Sequence, residues 1–322
     1  MRALNASLKP PIRLSVLVLL FVCAALSACR GSEPAQSDGR LRVVATTNLV
    51  GDAVAIVGGE HISVASLMGP GIDPHLYKAS EGDVSRMTQA DAIFYGGLHL
   101  EGKMVEVFEQ MESRGRKTVA VTDGIDRSLL IESQTFGGNY DPHVWFDVSL
   151  WSHAVLHIGE SLAELDPDNA SAYRANAADY VERLDSLHVW VTETIAQIPE
   201  PVRVLVTSHD AFGYFGRAYD IEVLGLQGIS TVSEAGTADV QQLAETVARR
   251  RVPALFVESS VSPRGIEAVQ AAVRSRGFDV RIGGSLYSDA LGDADTAEGT
   301  YIGMVRFNVA TIASALTPPT DA

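Results

Sequence analysis

The sequence predicts an α/β fold in which mostly parallel sheets are flanked by helices. Short segments rich in β-branched residues alternate with helical stretches in both halves of the chain, a pattern typical of parallel strands joined by crossover helices. After the first 40 of its 322 residues, the chain is longer than one typical domain, which favours two lobes. One unusually long helical segment near the middle interrupts the alternation. Together, these observations indicate two α/β halves of similar size.

Strands and helices are assigned from hydrophobic periodicity and β-branched content. In the first half, the predicted strands are 41–46, 62–67, 92–95 and 118–121. In the second half, strands are predicted at 202–207, 221–224, 254–257 and 279–282, with helices at 240–250, 266–276 and 299–316.

The central helix is predicted from apolar residues that recur every three or four positions between Tyr173 and Ile198. Asp166-Pro167-Asp168 is typical of a helix start, and Pro201 lies beyond the end. A helix of about 30 residues would span roughly 45 Å. Either it is a long surface helix of one domain or it is a rigid rod that joins two lobes. On the second interpretation, the segments are an N-terminal lobe 41–165, a linking helix 166–199 and a C-terminal lobe 200–318.

The first 28 residues have the pattern of a signal peptide. A basic segment precedes the apolar stretch 14–25, which is too short to span a bilayer as a stable helix. Leu26-Ser27-Ala28-Cys29 resembles a bacterial lipobox, so we predict that Cys29 is diacylated and becomes the mature N-terminus. An ordinary signal peptide cleaved nearby is the alternative. Residues 29–40 then form a short polar tether.

Charge and cysteine content restrict the function further. The net charge of −15 argues against nucleic acid as a partner and is compatible with attraction of cations, although an acidic soluble surface explains it equally well. Of the two cysteines, Cys23 lies in the signal peptide and Cys29 is the predicted lipid site. No cysteine remains for a disulfide or a thiolate ligand, so a metal site would use nitrogen and oxygen donors.

The tripeptide Asp-Pro-His occurs twice, at residues 73–75 and 141–143. Imidazole is the commonest metal-binding side chain. The proline fixes the backbone just before each histidine and favours an extended conformation for each aspartate. Each aspartate is close enough to accept a ring N–H, which is how ligating histidines are commonly oriented. We therefore predict His75 and His143 as metal ligands, with Asp73 and Asp141 as their orienting partners.

Two further candidates lie at strand ends in the second half. Ligands of open α/β sheets bind beyond the carboxyl ends of strands. His209 directly follows a predicted strand, and Asp289 follows another after a short glycine-containing segment. Since His75 and His143 come from the first half, a metal held by all four would lie in a cleft between the halves.

The remaining histidines are weaker candidates. His153 and His157 are four residues apart on a predicted helix but lack a third ligand or a catalytic glutamate nearby. His61 and His188 are assigned to surface or packed positions. His99 is predicted, at most, to contact a metal-binding side chain.

Five segments resemble, in order, motifs of the TroA-like solute-binding lipoproteins, which deliver zinc or manganese to ABC importers. The resemblance covers essentially the whole chain after the tether. It implies two lobes, each with a mostly parallel sheet flanked by helices, joined by one long rigid helix. It also implies four metal ligands at the junction, which fall on His75, His143, His209 and Asp289. The segments are 69–78, 97–101, 141–145, 207–212 and 287–292.

Three imidazoles and one carboxylate suit Zn²⁺ in tetrahedral geometry. Manganese prefers more oxygen ligands, but the resemblance leaves it as a second candidate. If Asp289 bound through both oxygens, the coordination number would rise to five and the preference for zinc would weaken.

The predicted function is that of an extracytoplasmic solute-binding protein that captures Zn²⁺ or Mn²⁺ and passes it to an ABC permease. We expect a monomer that is lipid-anchored to the cytoplasmic or outer membrane and faces the periplasm or the cell exterior. A zinc-dependent hydrolase and an adhesin-like surface lipoprotein are the alternatives. An enzyme is disfavoured, because catalytic zinc generally keeps a position open for water and Asp289 would fill it. Glu258, at the end of a predicted strand, has no assigned role.

Overall fold

The computed structural model describes residues 39–317. The predicted signal peptide, Cys29 and nearly all of the tether lie outside the described residues. In the described part of the chain, no helix has both the length and the apolar character needed to cross a bilayer.

A four-stranded parallel sheet of order β2-β1-β3-β4 forms the first half. Alternate residues of the central strand β1 point into different cores: Val43 and Ala45 pack with the first helix, and Val44 packs with Met87 of the second. A strand buried on both faces in this way requires helices on both sides of the sheet. The elements are β1 Leu41–Ala45, α1 Asn48–Gly58, β2 Ile62–Ser66, α2 Glu81–Gln89, β3 Ala92–Tyr95, α3 Val105–Ser113 and β4 Lys117–Ala120.

The second half also has parallel strands flanked by helices. Strand β7 pairs with β8, and β9 pairs with β10. Val204 and Val206 of β7 face a core formed with α7 and α8, whereas Leu205 faces the large core on the other side. The elements are β7 Val204–His209, α6 Gly213–Tyr219, β8 Glu222–Gln227, α7 Thr237–Arg250, β9 Ala254–Glu258, α8 Arg264–Arg274, β10 Arg281–Leu286 and α9 Tyr301–Leu316.

The structure differs from the sequence prediction around β10. This strand was predicted at 279–282, but it continues through a bulge to Leu286. Glycine normally weakens a strand, so the sequence pattern does not indicate that the strand continues through Gly283 and Gly284. Here α9 packs so close that a Cβ on Gly284 would lie 2.6 Å from a methyl group of Thr311. A short antiparallel pair, β5 Glu132–Ser133 with β6 Asn139–Tyr140, was not predicted because two-residue strands have no periodic pattern.

The long central helix is present as α5, Ala170–Ala196, after a 3₁₀ turn at Pro167–Asn169. Its 27 residues span about 40 Å. The predicted apolar stripe is buried against α1 and α4 (Val148–Leu165) of the first half and against α6 and α9 of the second. The predicted fold class is therefore confirmed. Because one hydrophobic cluster contains residues of both halves, the predicted lobe boundaries stay a prediction.

The loop that carries Asp289 is hydrogen-bonded to the first half of the chain. The Asn48 side chain donates to the carbonyl of Leu291 (3.1 Å) and accepts from its N–H (3.0 Å). On the other side of Asp289, the indole N–H of Trp145 donates to the carbonyl of Ser288 (3.0 Å). These contacts fix the loop on both sides of the carboxylate.

We predict that Asn48→Ala lowers the free energy of unfolding by about 1–3 kcal/mol, because two backbone groups of Leu291 lose their partners in a partly buried place. Urea unfolding followed by circular dichroism measures the change. Gln110→Ala, at an exposed position of α3, is the control and should stay within about 0.5 kcal/mol of the parent. Equal stability of the two variants would contradict the role assigned to Asn48.

Candidate metal centre

Three imidazoles and one carboxylate meet in the interior of the protein. They belong to His75, His143, His209 and Asp289, and one ligand atom from each lies within 4.8 Å of the others. None of the four residues is more than 2% exposed. Among residues 39–317, this is the one group of three or more His, Cys, Asp or Glu side chains that satisfies such a distance limit.

Each of the four residues comes from a different segment. His75 lies in the loop between β2 and α2, and His143 directly precedes a 3₁₀ turn that leads into α4. His209 is the last residue of β7, and Asp289 lies in the loop after β10. The carboxyl ends of strands in both halves therefore contribute to the cluster, as expected for ligand sites of α/β proteins.

The spacing of the ligand atoms fits a single small ion. His75 Nε2 lies 3.3 Å from His143 Nε2, and Asp289 Oδ1 lies 3.4 Å from His143 Nε2 and 3.5 Å from His209 Nε2. A tetrahedral ion with bonds of about 2.0–2.1 Å places its ligand atoms roughly 3.3–3.4 Å apart. In addition, His209 Nε2 and Asp289 Oδ1 have no hydrogen-bond partner among the described residues. Buried polar atoms of this kind normally have partners, and a cation would supply one.

Asp141 orients the imidazole of His143. Its Oδ1 accepts the backbone N–H of His143 (2.9 Å) and lies 2.7 Å from the ring Nδ1. A proton held on Nδ1 leaves the lone pair of Nε2 directed at the centre of the cluster.

Asp73 has a different role from Asp141, although both belong to Asp-Pro-His segments. Its Oδ1 accepts the backbone N–H of His75 (2.8 Å), and its Oδ2 accepts the hydroxyl of Thr231 (2.6 Å). Asp73 therefore fixes the loop of His75 and connects it to the second half of the chain.

Glu258 orients His209 and was not assigned from the sequence. Its Oε1 accepts the backbone N–H of His209 (2.9 Å), and its Oε2 lies 2.6 Å from the ring Nδ1. Glu258 is buried at the end of β9. The two residues are 49 positions apart, so no local spacing indicates the pair, whereas Asp141 is two positions from its histidine.

His99 lies at the approach to the cluster. It is exposed, and together with His75 it lines an open groove of about 470 Å³. Both Leu98 and His99 have a left-handed backbone, with φ of 51° and 66°. The buried carboxylate of Glu101 accepts the backbone N–H groups at the start of this loop and so stabilises it.

The pKa values of His75 and His143 are shifted in opposite directions. Burial lowers the pKa of His75 to about 3 and favours its neutral, ligating form. Burial also acts against the charged form of His143, but the carboxylates of Asp141 and Asp289 outweigh it and raise the pKa to about 9.

Asp289 and His209 stabilise each other's charged forms. Burial opposes ionisation of Asp289, yet His209 and His143 hold the pKa of the carboxyl well below its usual range. Burial likewise opposes the charged form of His209, but Glu258 and Asp289 hold its pKa well above the usual range. Asp289 is therefore ionised and able to bind a cation, which would replace the protons on the histidines.

Comparisons with known proteins cover both halves of the chain. The sequence model of the family described as ZnuA, zinc-uptake complex component A, periplasmic, matches residues 43–315. The manganese-binding lipoprotein MntA of Bacillus subtilis is 47% identical over 299 residues, which are 92% of this chain and 97% of that protein. The zinc-binding protein TroA of Treponema pallidum is 48% identical over 286 residues, which are 89% of this chain and 92% of that protein.

The fold is also similar to that of a solved structure. The periplasmic zinc-binding protein TroA from Treponema pallidum matches with a TM-score of 0.84 and 47% identity, over 87% of this chain and 100% of that chain. This likeness agrees with the two α/β halves and the long helix. Because the family model spans nearly all of the described residues, the chain belongs to the ZnuA family.

Proposed function

We propose that this protein captures a divalent transition metal outside the cytoplasmic membrane and delivers it to the permease of an ABC importer. The observation that supports this most directly is the buried set of three imidazoles and one carboxylate, which are spaced to fit one ion. The ion is cargo, so the protein needs to bind it tightly and later release it. Relatives of this chain are described as metal-binding lipoproteins or metal ABC transporter components.

Zinc is the cargo that the donor set favours. His75, His143, His209 and Asp289 form a set of three nitrogens and one carboxylate, which is typical of tetrahedral zinc. One close relative is described as manganese-binding, which makes manganese the second candidate. The Irving–Williams order places Mn²⁺ below Zn²⁺, so zinc should bind more tightly to the purified protein whichever ion is the cargo in the cell.

Each half of the chain contributes two of the four proposed metal ligands. His75 and His143 come from the first half, and His209 and Asp289 come from the second. Since α5 packs on both halves, we expect small movements of the loops that carry the ligands rather than a wide hinge motion. The loop of His75 borders the open groove, which makes it the natural gate for entry and exit of the ion.

A transport role also agrees better with the site than hydrolysis does. Asp289 would fill the coordination position that a catalytic zinc keeps for water, and the matching family is described as a component of a zinc-uptake complex.

We predict that His143→Ala weakens zinc binding by at least about 100-fold, since losing only an orienting contact to a ligand costs about 10–100-fold. Calorimetric titration of the metal-free protein with zinc, and with manganese in parallel, measures the change. Circular dichroism checks that the variant is folded, and His143→Gln provides a second variant with more of the original volume.

The matched control for His143 is His153→Ala, at an exposed position of α4. Its zinc affinity should equal that of the parent. If His143→Ala and His143→Gln also kept the parent affinity, the proposed metal site would be wrong.

We predict that Glu258→Gln weakens zinc binding by about 10–100-fold. The amide keeps an oxygen for the backbone N–H of His209 but loses the negative charge beside the ring Nδ1. The same calorimetric titration applies. Glu267→Gln, exposed in the first turn of α8, is the control and should have no effect. A Glu258→Gln protein that binds zinc like the parent would show that the carboxylate is dispensable.

We further propose that Cys29 carries the lipid anchor, which would hold the protein at the cell membrane facing outward. Cys29→Ser should abolish incorporation of labelled palmitate and reduce the membrane-bound fraction, because each buried CH₂ of an acyl chain contributes about 0.8 kcal/mol. Cys23→Ser is the control, since that cysteine precedes the predicted cleavage site. Labelling that survives in Cys29→Ser but is lost in Cys23→Ser would reverse the assignment.

A further inference from the structure

A second groove lies in the second half of the chain, on the face of β7 opposite to the metal centre. We call it the α8 groove; its volume of about 310 Å³ is near the lower end of the range for small-molecule sites, about 300–1,000 Å³. It is bordered by the carboxyl ends of β7 and β8 and by the start of α8. The lining residues that matter here are Ser208, Glu234, Ser262, Arg264 and Gly265.

The alternation of side chains along β7 separates the two sites. Val204 and Val206 face the core beneath α7 and α8, and Ser208 continues this series. His209 belongs to the opposite series and points into the metal centre. Neighbouring residues of one strand therefore line two different sites.

The Ser208 side chain is buried without a partner. Ser208 is 3% exposed, and its Oγ makes no hydrogen bond to any residue that the structure describes. Buried polar atoms are rarely left unpaired in folded proteins. The unpaired, buried hydroxyl of Ser208 in this groove indicates a polar ligand.

The start of α8 adds hydrogen-bond donors and positive charge. The first backbone N–H of this helix that is hydrogen-bonded is that of Glu267, which donates to the carbonyl of Pro263. The backbone N–H groups of Arg264, Gly265 and Ile266 therefore have no acceptor in the described part of the chain. Free amides and the helix dipole make a helix N-terminus attractive to anions. By contrast, α7 presents its own Asp239 at its N-terminus.

The guanidinium of Arg264 is also free to take part. It lines the groove and has no ion pair or hydrogen bond within residues 39–317. Two carboxylates act against an anion here: Glu234 lines the groove, and Glu267 lies in the first turn of α8. Both residues are exposed, so water screens their charges more than it screens the buried donors.

We propose that the α8 groove binds a small oxyanion, a phosphate or a carboxylate group. The amides at the start of α8, the guanidinium of Arg264 and the hydroxyl of Ser208 donate to its oxygens. The net charge of −15 disfavours unspecific attraction of anions, so saturable binding requires a built site. This site does not involve the metal ligands and stands independently of the proposed transport function.

The test is an NMR titration of the metal-free, ¹⁵N-labelled mature protein with inorganic phosphate, with acetate, and with chloride at matched ionic strength. We expect saturable shifts of the Gly265 and Ile266 amides with phosphate, acetate or both. Phosphate alone would identify a phosphate site, and both anions would identify a general oxyanion site. Ser208→Ala and Arg264→Gln should each weaken binding by roughly tenfold or more, as expected for hydrogen bonds to a charged group.

The matched control is Arg249→Gln. Arg249 lies at the C-terminal end of the 14-residue helix α7, about 20 Å along the axis from the N-terminal end that lies near the groove. It should leave the anion affinity unchanged. Arg264 is exposed, so its variant should fold even if Ser208→Ala does not. The proposal is overturned if neither anion gives a saturable shift at these amides, if chloride gives the same shift, or if Arg264→Gln binds like the parent.

Discussion

The buried carboxylate of Asp289 is the group on which the rest of the site depends. An ionised carboxylate that is 1% exposed is tolerated only when opposite charges or donors surround it. His143 and His209 lie beside Asp289 and compensate its charge, and a bound cation would do the same. Because these groups come from different halves of the chain, compensating one charge also holds the halves together.

Separate contacts fix the segments that carry the ligands. Asp141 contacts both the backbone N–H and the ring Nδ1 of His143, and Glu258 contacts the same two groups of His209. Asn48 fixes the loop of Asp289 from the first half of the chain. As a result, the ligand atoms lie at spacings suitable for one small ion.

Strand β7 shows how one element can serve two sites. Its side chains alternate between the metal centre and the α8 groove, so His209 and Ser208 are adjacent in sequence but face opposite layers. The carboxyl end of a parallel strand lies near the loops and helix N-termini that flank the sheet. Two ligand sites at one strand end follow from this geometry.

The sequence by itself determined the fold class, the long helix and the four residues of the metal cluster, because each leaves a local signal. His75 and His143 belong to a repeated tripeptide, and His209 and Asp289 follow predicted strands. Hydrophobic periodicity was sufficient for α5, whose stripe is local to one helix.

Asp141 was predicted beside His143 from their spacing, but only the tertiary structure decided the supporting contacts between residues distant in sequence. Glu258 meets His209 across 49 residues, and Asn48 meets Leu291 across 243, so neither pair has a sequence pattern. The continuation of β10 through Gly283 could not be predicted from the sequence for the same reason. Glycine is required there because the distant helix α9 packs against the strand. Periodicity and short spacings are properties of the local sequence and can be recognised there. Contacts between adjacent strands and layers form only when the sheets assemble.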